Sequence, residues 1–512
     1  LNEEYYLTMK NITKKFGDVV ANNNVNFNVK GGEIHALLGE NGAGKSTLMN
    51  MLSGIYIPDG GSIFIHGKEI RFKSPTDAIK SGIGMIYQHF KLIESMTAIQ
   101  NIILGKKKKL FLNYDKEVKK VQQIKDKYGF DVDLKKYVYD MSVGERENLE
   151  ILKVMYRGAD ILILDEPTAV FTPQETKKLF NLMKRMKKEG CSIIFITHKL
   201  DEVMEVADTI TILRKGESVE TVTKDSTTPK ELVDKMIGYH VDLAIERSNT
   251  TIGKSILKVS DLNLINDLNI PILKNINFEI HEGEVVGVAG ISGCGQKELC
   301  EAIAGITKIS SGKIEFQGKD ITDKDASKLS KENLGISFIP EDRLGMGLVG
   351  SMDMVDNVFL KYYKKQKGLL LKKDDVEKKA EKIKEDLEVK TPSIHYPIKN
   401  LSGGNIQKIL LGRELGLNPK LILMGYPVRG LDINTCYTIY NLVNEEKKKG
   451  TGILFVGEDL DILLSICDRI IVMYSGEITG SFESKNVTKE TIGYKMLGNK
   501  RKGDEIYENE VC

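Results

Sequence analysis

Four short apolar runs punctuate the first half of the chain: IHALL at residues 34–38, IGMIY at 83–87, ILIL at 161–164 and SIIFI at 192–196. Each is bounded by glycine, charged or polar residues and is too short for an ordinary globular helix, so each reads as a strand buried in a sheet. Longer stretches with helical spacing lie between them. One begins at Leu48, and another, SMTAIQNIIL at 95–104, carries its apolar side chains at the interval of a short helix. Strands alternating with helices predict an α/β fold.

The pattern returns in the second half. Residues 24–70 align without a gap on 275–321, and 142–238 on 402–498, so Gly39 meets Gly290 and Ser142 meets Ser402. The 95–104 stretch comes back as SMDMVDNVFL at 351–360. A chain of 512 residues also exceeds what one hydrophobic core holds, roughly 250 to 300 residues. The sequence is therefore a tandem duplication. It predicts a first domain over 5–239, a short polar linker over 240–254, a second domain over 255–500 and a charged tail over 501–512.

Composition narrows the classes of function. The 74 basic residues nearly balance the 72 acidic ones, which argues against a strongly basic nucleic-acid binder. The lysine runs at 106–109 and 447–449 read as solvated surface. Six cysteines without a CxxC pair point to neither a zinc site nor a disulfide framework, and fit a reducing cytoplasm. No uncharged apolar run approaches the roughly 18 residues that span a bilayer, so the chain is expected not to cross a membrane itself.

Chemistry enters between the first buried strand and its helix. The loop there runs Gly39, Glu40, Asn41, Gly42, Ala43, Gly44, Lys45, Ser46, Thr47, which is the glycine, lysine and serine spacing of a P-loop. Glycines let backbone N–H groups turn inward around phosphate, and the following helix adds its positive end. Lys45 is placed to reach the outer phosphates of a nucleoside triphosphate, and the Ser46 hydroxyl to bind Mg²⁺. At the end of the 161–164 strand, Asp165 is the candidate for the metal shell and Glu166 for the general base that polarises water. His198, at the end of the 192–196 strand, is the candidate γ-phosphate contact. Gln88 offers an amide oxygen to Mg²⁺. Phe16 offers a flat apolar ring for adenine, a role that composition alone does not separate from that of a core residue.

The order of these motifs resembles that of an ABC transporter nucleotide-binding domain, twice over nearly the whole chain. The resemblance puts the family's adenine-stacking aromatic on Phe16, its Walker A motif on residues 39–46, its Q-loop on Gln88, its Walker B acid on Asp165, its catalytic glutamate on Glu166 and its switch histidine on His198. The signature, usually LSGGQ, reads MSVGE at 141–145 and LSGGN at 401–405. The implied fold is two P-loop NTPase domains of ABC type, each with a mainly parallel sheet core, an antiparallel β part and a helical subdomain, about 90–156 or 343–415, that carries the signature. ATP and Mg²⁺ are the implied cofactors. A head-to-tail pairing is also implied, in which Ser402, Gly403 and Gly404 close over the ATP held by Lys45, Ser46 and Asp165.

The second copy departs from the pattern in one direction. Gln296 and Lys297 stand where Lys45 and Ser46 are expected, Gly425 and Tyr426 replace the two acids, and Glu341 and Glu458 replace Gln88 and His198. Asp267 matches Phe16. Yet this copy keeps Ser402, Gly403, Gly404 and Asp432, while the first has Val143 in its signature and Thr172 opposite Asp432. Every loss falls on one composite site, which predicts one site that turns over ATP and one that does not.

The stretches DEPTAVFTPQE at 165–175, PEDR at 340–343 and RGLD at 429–432 resemble the ATPase subunit of importers for sugars and nucleosides. SVGE and YRGADILILDEPTAV are nearest the nucleoside branch, whose binding proteins are basic membrane lipoproteins. Arg146, Glu147 and Asn148 depart from that branch and leave a monosaccharide importer as the alternative. A soluble tandem ATPase of translation is a third reading, but such proteins normally keep two competent sites. The importer resemblance implies two multispanning permeases and an extracytoplasmic solute-binding lipoprotein as partners, with no nucleic acid. It places the chain peripherally on the cytoplasmic face of the cell membrane, where residues 95–104 and 351–360 suit the groove for a permease helix.

Overall fold

The computed structural model describes residues 5–87, 90–105, 113–169, 171–238, 245, 247–248, 250–332, 334–363 and 373–498. Gln88, the 106–109 lysine run, much of the predicted linker and the predicted tail lie outside the described residues. The chain divides into two compact units, residues 1–242 and 243–512.

Unit one is built on a six-stranded sheet in the order Glu217–Thr223, Thr209–Arg214, Ile34–Leu38, Ser192–Thr197, Ile161–Asp165, Ile83–Ile86. All neighbours run parallel except the first pair, which is antiparallel. Ile34–Leu38 and Ser192–Thr197 are buried at every position, the unbroken apolar reading of strands covered on both faces. A second, antiparallel sheet takes Val19–Lys30, Tyr5–Phe16, Gly60–Ile65 and Lys68–Ile70. In it Leu7, Met9, Phe27 and Val29 turn inward while intervening side chains face out, as the two-residue period of a half-buried sheet requires.

Two cores result. Leu7, Phe27, Leu48, Leu52, Ile163 and Ile194 pack between the two sheets. On the other face of the parallel sheet, Leu162, Phe180 and Phe195 join Ile102, Val121, Leu149 and Leu152 from the helical subdomain. That subdomain comprises Ala98–Ile103, Tyr114–Tyr128 and Val143–Tyr156. Ala98–Ile103 is shorter than the 95–104 stretch because Thr97 starts it, forming a capping box with Gln100.

The helix after the P-loop begins at Lys45, not at Leu48. Its first turn, Lys45, Ser46 and Thr47, is polar, so the apolar pattern starts a turn late.

Unit two repeats the plan, with a six-stranded sheet of Ile336–Ile339, Leu421–Gly425, Gly452–Val456, Val285–Gly290, Arg469–Tyr474 and Glu477–Glu483. Its antiparallel sheet takes Pro271–His281, Ser255–Ile265, Ser311–Phe316 and Lys319–Asp320. The described residues of the predicted linker lie against this unit. Ile245 packs on its core, Arg247 donates to the carbonyls of Ser465 and Leu464, and the Thr250 hydroxyl donates to Gly283 O at 3.0 Å. Among the described residues no helix is long and apolar enough to cross a membrane.

Candidate functional site

The P-loop of unit one turns tightly enough that two of its glycines are dictated by space. A Cβ on Gly39 would lie 2.4 Å from Leu213 O, and one on Gly44 would lie 2.4 Å from Ala21 O. Gly44 also holds φ +96°, a conformation that glycine adopts without penalty, as it reverses the chain into the Lys45–Leu52 helix. Asn22, fully buried, donates from Nδ2 to Gly44 O at 3.2 Å and steadies that reversal. The Lys45 ammonium is buried and donates to the carbonyls of Gly39 at 2.6 Å and Glu40 at 2.9 Å. Burial lowers its pKa, while the charges of Glu166, Asp165 and Glu40 act to keep the proton on.

Two acids stand at the end of Ile161–Asp165. Burial and the neighbouring Glu166 charge push the Asp165 carboxyl up to about 6, against the pull of Lys45 and the Ser46 hydroxyl. A carboxylate and a hydroxyl oxygen side by side fit a hard divalent cation such as Mg²⁺, which takes few protein ligands and completes its shell with phosphate oxygens and water. A buried acid short of positive charge fits the same ion. Glu166 occupies the left-handed region at φ +48°, unusual for a residue with a Cβ, and its N–H donates to Ile196 O at 3.0 Å. That turn aims its carboxylate at His198, whose Nδ1 lies 2.9 Å from Oε1. This hydrogen bond outweighs burial and holds the Glu166 carboxyl below its usual range. The structure thus brings Lys45, Ser46, Asp165, Glu166 and His198 of the sequence reading to one end of the parallel sheet. Phe16 ends its strand half-exposed, with the Tyr56 ring edge-on to it at 5.2 Å.

The matched positions of unit two hold different chemistry. Gln296 is buried and its Nε2 donates to Ile291 O at 3.0 Å, the same carbonyl that Lys45 reaches in unit one, but without a charge. Tyr426 sits at φ +49° and donates its N–H to Val456 O, reproducing the Glu166 turn. Arg429 fills the space beside it. Its guanidinium pairs with Glu341 at 2.5 Å and Glu458 at 3.3 Å and lies 5.6 Å from the Tyr426 ring centre. Burial works against this charge, but Glu458 and Glu341 outweigh it and raise the Arg429 pKa.

The two signature serines are also unlike. Ser142 caps Val143–Tyr156 in a capping box with Glu145, and Lys136 holds that glutamate at 2.8 Å. Ser402 starts Gly403–Leu415 with no side-chain bond to the helix backbone, its hydroxyl accepting from Asn405 Nδ2 at 2.8 Å. A Cβ on Gly404 would press on Thr435 Oγ1 and Asp432 Oδ2. Asp432 in turn caps Ile433–Lys448, a task done in unit one by Thr172 with Glu175.

Several supporting residues escaped the sequence reading because their partners are distant in the chain. Glu202 accepts from the Thr168 hydroxyl at 2.7 Å and pairs with Lys199 at 3.2 Å, bracing the turn that carries His198. Asn101 binds both backbone groups of Ile93, and Asn357 binds both of Val349 in the same way. The signal was available for this pair alone: it is the asparagine shared by the two repeats at 95–104 and 351–360.

The ABC transporter family profile matches residues 22–169 and 273–428, together more than half of the chain. A nucleoside import ATP-binding protein of Lactococcus lactis is 41% identical, with 97% of this chain and 98% of the relative covered. A guanosine import ATP-binding protein of Bacillus subtilis is 41% identical, over 98% of each. A glucose import ATP-binding protein of Haloferax volcanii is 38% identical, over 97% of this chain and 96% of the relative. With two cassettes that align end to end on such relatives, this chain is a tandem ATP-binding protein of the ABC transporter family, an ABC transporter ATPase.

Proposed function

We propose that the chain hydrolyses ATP at one composite site, made from the Walker residues of unit one and the signature of unit two, and so drives the import of a nucleoside. One contrast carries the reading: Glu166 and His198 face each other in unit one, whereas Tyr426 and Glu458 at the same positions are engaged with Arg429. The P-loop N–H groups of residues 39–47 cradle the phosphates, and Lys45 leaves its two carbonyl partners to meet their outer oxygens. Ser46 and Asp165 would hold Mg²⁺, with Gln88 as a further ligand, and the ion would supply positive charge to the transferring phosphate. Glu166 polarises the attacking water, and His198 orients Glu166 and touches the γ-phosphate. Phe16 stacks on adenine. Ser402, Gly403 and Gly404 close over the γ-phosphate from the second unit with a hydroxyl and backbone N–H groups.

The nucleoside assignment rests on the SVGE and YRGADILILDEPTAV contexts together with the nucleoside and guanosine import relatives. The glucose import relative keeps a monosaccharide as the second reading. In either case two multispanning permeases and an extracytoplasmic binding lipoprotein complete the importer, and hold the chain peripherally at the cytoplasmic face of the cell membrane. The test is phosphate release by the full importer complex. Glu166→Gln removes the carboxylate that polarises water and is expected to cost on the order of 10² to 10⁴ in rate while ATP stays bound. Near-normal turnover in that variant would refute the assigned role. Stimulation of the unaltered complex by nucleosides but not by monosaccharides supports the substrate, and the reverse selects the sugar.

A further inference from the structure

Arg429 and Arg343 belong to one network that runs through the altered pocket of unit two to its signature-bearing helix. Arg429 pairs with Glu341 and Glu458, so it ties the segment matching the Q-loop to the turn matching the switch histidine. The Arg429 carbonyl accepts from Arg343 Nη2 at 2.5 Å. Arg343 Nε in turn donates at 2.8 Å to Gln407 Oε1, a fully buried side chain on the Gly403–Leu415 helix. A Cβ on signature residue Gly403 would lie 3.5 Å from Arg343 Nη1, so that guanidinium lies close beside the signature. Unit one carries neither arginine, and its signature helix is held differently, Glu150 accepting from the Lys91 N–H at 2.7 Å and Lys153 donating to Lys91 O at 3.1 Å. Ala169 and Phe90 match the two arginines in sequence, and Glu147 matches Gln407.

We infer that Arg429 and Arg343 are positioning residues that hold the signature helix of unit two in a fixed orientation on its own sheet, in place of the nucleotide and metal that unit one's residues are built to hold. Planar guanidinium groups suit this work, since each carries several donors in a rigid fork and bridges segments that a lysine would join only at a point. The consequence is asymmetric. Unit one's pocket carries the reacting groups, and unit two presents Ser402 and Gly404 already ordered. This inference rests on the head-to-tail reading above, in which that signature closes over the ATP of unit one.

The experiment uses the full-length chain in its importer complex, with kcat and KM for ATP, and ATP affinity measured separately in a Glu166→Gln background. Arg429→Ala and Arg343→Met are expected to lower kcat about tenfold or more while ATP affinity changes less than about twofold, because a displaced group costs orientation rather than binding. Arg429→Lys keeps one ion pair and is expected to recover part of the rate. Glu341→Gln, which preserves shape and removes the charge, is expected to lose rate in the same sense and guards against a folding defect. Lys313→Ala, which breaks only an exposed pair with Glu315, serves as the control and is expected to leave kcat unchanged. A kcat for Arg429→Ala and Arg343→Met equal to the control's overturns the inference. If Ser402→Arg is dead under those conditions, the positioning role alone fails; if Ser402→Arg also turns over normally, the head-to-tail reading fails with it.

Discussion

Glu147 lies on the signature-bearing helix of unit one with 3% of its surface exposed, and burial together with the nearby Glu150 pushes its carboxyl up to about 8. Its counterpart in unit two is the uncharged Gln407. Below pH 4.5, the ordinary value, Glu147 is neutral whether the chain is folded or not, and its ionisation adds no pH-dependent cost. Between 4.5 and about 8 the unfolded chain releases the proton and the folded chain keeps it, so stability falls as pH rises through that window, and above about 8 the loss levels off. Glu147→Gln is therefore expected to raise the melting temperature of unit one at pH 8 and not at pH 4.5; each kcal/mol recovered is worth about 2–4 °C in a domain of this size. An equal shift at both pH values would show that packing, not ionisation, is responsible. Single residues were legible where their spacing is local, as in the P-loop. Asn22, Tyr56 and Glu202 were not, because what gives each its role is a partner brought near only by the sheet.

The two signature helices begin alike in sequence and differ in what their first serine is free to do. In Val143–Tyr156 the Ser142 hydroxyl accepts from the Glu145 N–H at 3.2 Å, and the glutamate returns the bond. In Gly403–Leu415 the Ser402 hydroxyl leaves the helix N–H groups open, where they form a positive end suited to an anion. On the proposed head-to-tail site, Ser402→Arg is expected to abolish turnover with ATP binding by unit one intact. Ser142→Arg removes a cap worth about 1 kcal/mol and is expected to cost stability but little rate. Comparing the two in a substrate-stimulated ATPase assay decides the matter, and equal loss of rate would mean that both signatures act on chemistry. Helices were legible in sequence by their apolar stripe and not by their polar first turn. That is why the P-loop helix was expected from Leu48 and starts at Lys45. The linker shows the same effect, since polar residues read as solvated spacer while Arg247 and Thr250 spend their polarity on backbone carbonyls of unit two.

Across the whole molecule the duplicated fold was legible because an ungapped repeat forces the same strand order on both halves, and the structure has that order twice. Inequality between the halves was legible as a list of substitutions, but not its physical form, in which new side chains fill the altered pocket. Gln296 satisfies the carbonyl that a lysine would leave for phosphate, Gly425 offers no metal ligand, and Arg429 engages both Glu341 and Glu458. A nucleotide entering unit two would have to break those ion pairs or sit apart from them, and would find Gly425 where Asp165 stands in unit one. Unit one offers the reverse: two acids, a hydroxyl and a lysine whose charges a Mg²⁺–ATP complex matches. Equilibrium binding to the Glu166→Gln chain in its complex should therefore find one tight site per chain that weakens when the metal is chelated. Any second site should be weaker and indifferent to chelation. Two equally tight, metal-dependent sites would mean that Gln296, Gly425 and Arg429 do not disable the second pocket, and that both halves take part in binding as equals.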